Sequence, residues 1–173
     1  MKKICCIVNP VSGLKKSLKV FYEYKKVLEN SQFEVTLFVS EYPNHIKEFT
    51  SKIDKNSFDR IIIFGGDGTI NEVVNGLYYS NKLHLFDIGI IPTGSGNSVA
   101  HDINALDLDD AIRICTGNNT AKMDVNEDDF DNFSQLSISV LGWGVFSFVI
   151  IRAEKLRFLG PIRYDVASII TRL

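Results

Sequence analysis

What constrains this chain most is how its apolar runs end. Lys3–Val8, Arg60–Phe64 and Ile88–Ile91 are short and largely apolar, and each breaks into a loop containing glycine: Asn9-Pro10-Val11-Ser12-Gly13, Gly65-Gly66-Asp67-Gly68-Thr69 and Pro92-Thr93-Gly94-Ser95-Gly96-Asn97. Runs of this kind read as strands buried on both faces. Helical periodicity separates them. Leu18, Phe21, Tyr22, Lys25 and Leu28 mark one face of a helix from about Lys15 to Glu29, and Phe33–Val39 alternates as a further strand. Asn44 is placed to cap a helix through Ile46, Phe49 and Ile53. Ile70, Val73, Val74 and Leu77 mark a helix over Thr69–Leu77, and Leu106–Cys115 is a short one closed by Gly117. The alternation predicts an α/β fold, a parallel sheet with helices on both faces. Ligands of such sheets sit at the carboxyl ends of the strands, so the three loops are expected to open on one edge.

The character of the chain changes after this. Asn118–Asn132 is polar and acidic, and Phe133–Leu141 is strand-like again. A boundary is expected near Ala121, dividing a first domain of residues 1–120 from the beginning of a second over 121–173. Val140–Ile151 is the most apolar segment, expected to be irregular because Trp143 stands among glycines. In the tail, Tyr164, Ala167, Ile170 and Leu173 recur at helical spacing, with Val166 and Ile169 beside them. That surface either folds back on the first domain or is exposed, and exposure would favour self-association or membrane adsorption.

Charge and cysteine content narrow the classes. A net charge of −2 over 173 residues gives no global basic field for nucleic acid or acidic lipid. Lys15–Lys16 and Lys25–Lys26 read as solvated faces. Cys5 and Cys6 are adjacent in a strand and point to opposite sides; with Cys115 they read as small buried apolar residues, which fits a reducing cytosol. The basic start Met1-Lys2-Lys3 precedes too short an apolar run for a signal peptide, and no stretch has the length of a membrane span. His45, His84 and His101 lack metal-ligand spacing and read as surface or capping residues.

The loops carry the chemistry. Glycines at Gly65, Gly66 and Gly68 let a polyanion approach the backbone, and the helix that follows offers unpaired N–H groups and a partial positive charge. A carboxylate there repels phosphate. Asp67 makes sense as a group that orients Mg²⁺-bound phosphate or takes a proton from an incoming hydroxyl; the structural alternative is a turn in which Asp67 or Thr69 is a cap. The loop Thr93–Asn97 alternates glycines with donors, and Ser12 in the first loop reads as a helix cap. None of the loops is a lysine-containing P-loop or a Gly-x-Gly-x-x-Gly fingerprint.

Taken together and in order, Asn9–Gly13, Gly65–Gly76 (with Asn71-Glu72-Val73-Val74-Asn75-Gly76) and Pro92–Asn97 resemble the three signatures of the diacylglycerol kinase catalytic domain family. The resemblance runs from about Ile4 to Asp124. The family segment after the second strand, where a Thr usually contacts nucleotide, is similar to Glu41-Tyr42-Pro43-Asn44-His45, preceded here by Ser40. Trp143-Gly144, Ala153–Gly160 and Ile162-Arg163-Tyr164 resemble the sphingosine kinase branch, ceramide kinases being close to it. The resemblance implies ATP and Mg²⁺ as cofactors and a lipid alcohol as substrate: a sphingoid base, ceramide or diacylglycerol. It implies Asp67 as the catalytic residue, phosphate contacts at Gly66, Gly68, Thr69, Gly94, Ser95 and Gly96, and base or ribose contacts at Asn9 and Ser12 beside Gly13. Glu72 would support the site from its helix, and Arg157 and Arg163 would meet phosphates as arginine forks do. No residue is assigned as a metal ligand of the protein's own. The acid that meets the sphingoid amine in that branch falls on Phe148, and a second nearby acid falls on Arg152, which favours an uncharged lipid alcohol. The family continues through a β-rich lipid-binding domain, of which only the opening is expected in this chain. Cytoplasmic location, peripheral membrane contact and a possible homo-oligomer complete the expectation, with no nucleic-acid partner. Two alternatives stay open: a soluble-substrate kinase of the NAD kinase type, which shares the Gly-Gly-Asp-Gly turn, and a non-catalytic nucleotide-binding fragment.

Overall fold

The computed structural model describes residues 1–138 and 145–172, without the side chains of residues 145, 146, 157, 161 and 172. Strands β1 (Lys2–Val8), β2 (Phe33–Val39), β3 (Arg60–Gly65) and β4 (Asp87–Pro92) form a parallel sheet in the order β2-β1-β3-β4. In register, Val8 lies between Val39 and Phe64, and Gly65 lies opposite Pro92, so the strands finish level on one edge. The chain goes from β1 outward to β2 and then returns to β3 on the other side. The topological switch is therefore between β1 and β3, the usual place for a ligand crevice.

Alternation along β1 divides the core in two. Ile4, Cys6 and Val8 join Ile62, Phe64 and Ile91 under α1 (Ser17–Asn30), which contributes Phe21 and Leu28. Ala111, Ile112 and Cys115 lie in the same cluster, from a helix numbered below. Cys5 and Ile7 join Ile61, Ile63 and Ile90 on the other face, under α2 (His45–Lys52) and α3 (Asp67–Tyr79), which contribute Ile46, Ile70, Val73, Val74 and Leu77. The two adjacent cysteines thus serve opposite faces, as a strand requires. All three cysteines are free and buried.

The ends of the elements depart from expectation where local chemistry intervenes. Gly13, Leu14 and Lys15 form a left-handed turn with φ near +49°, +60° and +63°, so α1 starts at Ser17. That turn carries the first amides of α1 beyond reach of Ser12, whose side chain makes no capping bond. Asn44 stands at the head of α2, also with positive φ (66°), and its side chain makes no capping bond either. A five-residue helix, α4 (Ser98–Asp102), follows the third loop. Then α5 (Leu108–Thr116) begins under Asp107, which accepts from the Asp110 amide at 3.0 Å.

Within the polar acidic stretch lies β5 (Asn126–Phe130). It pairs antiparallel with β6 (Phe133–Ser137), the start of a β part beyond the parallel sheet. By compactness the chain divides into Met1–Ile138 and Ser139–Leu173. The hairpin therefore stays with the first unit, and the position near Ala121 lies between α5 and β5.

The described residues of the second unit form α6 (Val145–Lys155), a 3-10 segment Arg157–Ile162, and α7 (Arg163–Arg172). The expectation of irregular structure over Val140–Ile151 gives way to α6 from Val145 onward, because no Gly or Pro interrupts 145–155. Trp143, Gly144 and Leu173 lie outside the described residues. Helices α6 and α7 pack together; Ala153 and Ala167 are fully buried, while Phe148, Ile151, Phe158, Ile162, Tyr164, Ile169 and Ile170 are exposed. Among the described residues no helix is long and apolar enough to cross a membrane.

Candidate active site

The loops after β1, β3 and β4 are joined into one body by their own side chains. Asn9 receives the Val11 amide on Oδ1 at 3.2 Å and donates from Nδ2 to Thr69 Oγ1 at 3.2 Å. Thr93, fully buried, shares a 2.7 Å hydrogen bond with the buried Ser17 hydroxyl, and its amide donates to the Gly65 carbonyl at 3.0 Å. Asn97 closes the third loop on itself: its Oδ1 receives the Gly94 amide at 2.9 Å and its Nδ2 donates to the Gly94 carbonyl at 3.1 Å.

Most of the glycines are there for packing. Any side chain at Gly13 would overlap the Thr93 carbonyl oxygen, and the residue has positive φ as well. A Cβ on Gly66 would come within 2.9 Å of the Gly94 Cα, and one on Gly65 would press on Thr69. Gly96 is less confined, a Cβ there meeting only Asp67 Oδ2 at 3.3 Å and Ser98 Oγ at 4.0 Å, and Gly68 is not confined at all. A Cβ there would meet nothing within 4 Å, although the residue lies in the first turn of α3 at the centre of the site.

Asp67 joins the second loop to the third. Its Oδ2 accepts from the Ser98 amide (3.1 Å) and hydroxyl (3.3 Å), and its Oδ1 accepts from the Val99 amide (3.1 Å). The carboxylate thus caps α4 from outside, while Asn97, the residue at the cap position, makes no capping bond there. Of the two sequence readings of Asp67, the cap is realised, but on the helix after the third loop and not on its own.

Glu72 lies one turn further along α3, the helix that packs on α2. Burial raises the pKa of its carboxyl, against a smaller opposing pull from the backbone amides of Lys47, Ile46 and Asn44. One oxygen, Oε2, is buried with no hydrogen-bond partner among the described residues. Glu72 supports the segment that leads from Ser40 into α2. Ser40 itself ends β2, buried, with its amide on the Val8 carbonyl at 3.0 Å.

The sheet edge therefore gathers Asn9, Ser12, Gly13, Ser40, Gly66, Asp67, Gly68, Thr69, Gly94, Ser95 and Gly96, as expected. Thr69 is 3% exposed, so its side chain holds Asn9 and is not free for a ligand. In the second unit, Arg163 is buried; it donates to the Tyr164 hydroxyl at 2.7 Å, lies over that ring, and stands 3.6 Å from Glu154. The side chain of Arg157 is outside the described residues.

Sequence reasoning quoted Thr93, Asn97 and Asn75 without giving them work. The signal for Asn97 was its type, since Asn tolerates the left-handed conformation it adopts at φ 56°. Asn75, also buried, pairs its side-chain amide with the backbone of Leu136 in both directions at 2.9 Å. It fastens α3 to the hairpin, and no local pattern announces a partner so distant in sequence.

Residues 3–127 match the diacylglycerol kinase catalytic domain, and the chain belongs to that family. Sphingosine kinase 2 of Arabidopsis thaliana is 31% identical over 178 residues, covering 95% of this chain and 36% of the relative. Human ceramide kinase is 30% identical over 192 residues, covering 99% and 35%. A crystal structure of a diacylglycerol kinase from Bacillus anthracis superposes with a TM-score of 0.57 at 24% identity, over 66% of this chain and 39% of that one, a likeness of fold. The chain spans about a third of the length of these curated relatives.

Proposed function

We propose that this chain carries the nucleotide-binding part of an ATP-dependent lipid kinase, which passes the γ-phosphate to the hydroxyl of a lipid alcohol. The observation that carries the reading is Gly68. Gly13, Gly65, Gly66 and Gly94 lack side chains because the protein crowds them, whereas Gly68 faces open space at the N-terminal turn of a helix. There an approaching polyanion, and not internal packing, gives a reason for glycine.

ATP, when bound, supplies the phosphoryl group, and Mg²⁺ offsets the charge that develops on it. Backbone amides around Gly66, Gly68, Gly94, Ser95 and Gly96 would bind the phosphates; Asn9, Ser12 and Ser40 would face base or ribose. Among the described residues no group of three or more His, Cys, Asp or Glu is arranged for a metal ion. Mg²⁺ would be held through the nucleotide phosphates. Asp67 would orient the acceptor hydroxyl or take its proton. Arg157 and Arg163 would meet phosphate from the second unit, and Arg163 would have to exchange its bonds to Tyr164 and Glu154 to do so.

The acceptor is an uncharged lipid alcohol such as diacylglycerol or ceramide. Phe148 and Arg152, both exposed on α6, offer no counter-charge to a sphingoid ammonium. Exposed Phe158, Ile162, Ile169 and Ile170 support peripheral contact with a membrane, or self-association, of a cytoplasmic protein. The test supplies labelled ATP and diacylglycerol or ceramide. Label entering the organic phase is the expected result; label transferred only to a water-soluble product would contradict a lipid acceptor.

A further inference from the structure

We propose that Ser98 is a positioning residue for Asp67, its hydroxyl fixing Oδ1 as the carboxylate oxygen presented to the acceptor. The inference rests on the reading of Asp67 as the group that meets the acceptor hydroxyl. A carboxylate has about four acceptor positions, two on each oxygen. On Oδ2 both are filled, by the Ser98 amide at 3.1 Å and the Ser98 hydroxyl at 3.3 Å. On Oδ1 the Val99 amide fills one at 3.1 Å, leaving the other open.

The two amides belong to the α4 backbone, so no substitution at position 98 deletes them. The hydroxyl is the one donor of the three that a substitution removes. Without it each oxygen carries a single bond, the two become equivalent, and the carboxylate can rock between them. Asn97 cannot substitute for the hydroxyl, because its side chain is committed to Gly94 in both directions. Ser98 is itself exposed, so its hydroxyl serves the carboxylate and not the core.

The test compares the wild-type chain with Ser98→Ala and Ser98→Thr. Amide hydrogen exchange at Val99, measured without nucleotide, reads the lock directly; it is expected to quicken in Ser98→Ala and to recover in Ser98→Thr. Phosphoryl transfer from Mg-ATP to diacylglycerol or ceramide should fall roughly three- to tenfold in kcat for Ser98→Ala, the worth of one modest hydrogen bond. The KM for ATP should not change, and Ser98→Thr should restore the rate. Unchanged Val99 exchange and an unchanged kcat in Ser98→Ala would overturn the proposal. So would a loss confined to the KM for ATP, which would make Ser98 a nucleotide contact. Absence of turnover in the wild type counts against the kinase reading instead, and Val99 exchange then decides the lock by itself.

Discussion

At the scale of single residues, Asp67 has two employments, and they predict a compound phenotype. Asn at this position keeps one acceptor oxygen but turns an NH₂ toward an amide that needs an acceptor. Asp67→Asn should therefore lose about 1 kcal/mol of stability through the α4 cap and also lose transfer by on the order of a hundredfold to ten-thousandfold. Denaturant unfolding and turnover, measured on the same preparation, check the two parts. The glycines make a cleaner pair. Gly13→Ala should destabilise by at least about 1 kcal/mol, because it forces a Cβ onto the Thr93 carbonyl at positive φ. Gly68→Ala should fold with near wild-type stability and bind Mg-ATP more weakly, since only a ligand competes for that space. Calorimetric titration of both variants separates a packing glycine from a ligand glycine.

Glu72 gives a pH dependence with a definite sign. Burial raises the folded-state pKa of its carboxyl above the ordinary 4.5, so the native chain keeps this proton to higher pH than the unfolded chain does. Its contribution is nil at low pH, and stability falls as pH rises through the ordinary value toward the raised one. Glu72→Gln removes that loss. The stability of the variant relative to wild type should improve as pH is raised from 4 to 7, as read from urea midpoints.

At the scale of elements, the parts of the fold fixed by periodicity were legible and the parts fixed by tertiary hydrogen bonds were not. Ile4–Val8 and Ile61–Phe64 announce buried strands because no other element is so short and apolar, and the loops after them had to share an edge once the strands were parallel. The cap of helix α4 was hidden because Asp67 lies thirty-one residues upstream of Ser98. Asn44 and Ser12 have the side chains of caps, but positive backbone φ at Asn44 and the turn Gly13–Lys15 put the amides elsewhere. Strand β5 was missed because Asn126–Phe130 is acidic and exposed; its pairing with β6 and the hold of Asn75 on Leu136 keep it in place. Asn75→Ala strands the backbone N–H and C=O of buried Leu136 and should cost about 1–3 kcal/mol. Hydrogen exchange over residues 126–137 should quicken while β1 to β4 stay protected.

At the scale of the whole molecule, the family is established over residues 3–127, and what is proposed is the use to which this chain puts the shared site. Three loops are stitched together by Asn9, Asp67 and Thr93 at the switch of a parallel sheet, with Gly68 left facing open space. All of those parts lie inside the first compact unit, so nucleotide binding is expected of that unit's own residues. The most direct test is thermal unfolding of this chain with and without Mg-ATP. At about one hundred times the dissociation constant, the nucleotide should add roughly 2.7 kcal/mol to the stability of the folded state and raise the unfolding midpoint. Folded protein whose unfolding is indifferent to millimolar Mg-ATP would contradict the account at its centre.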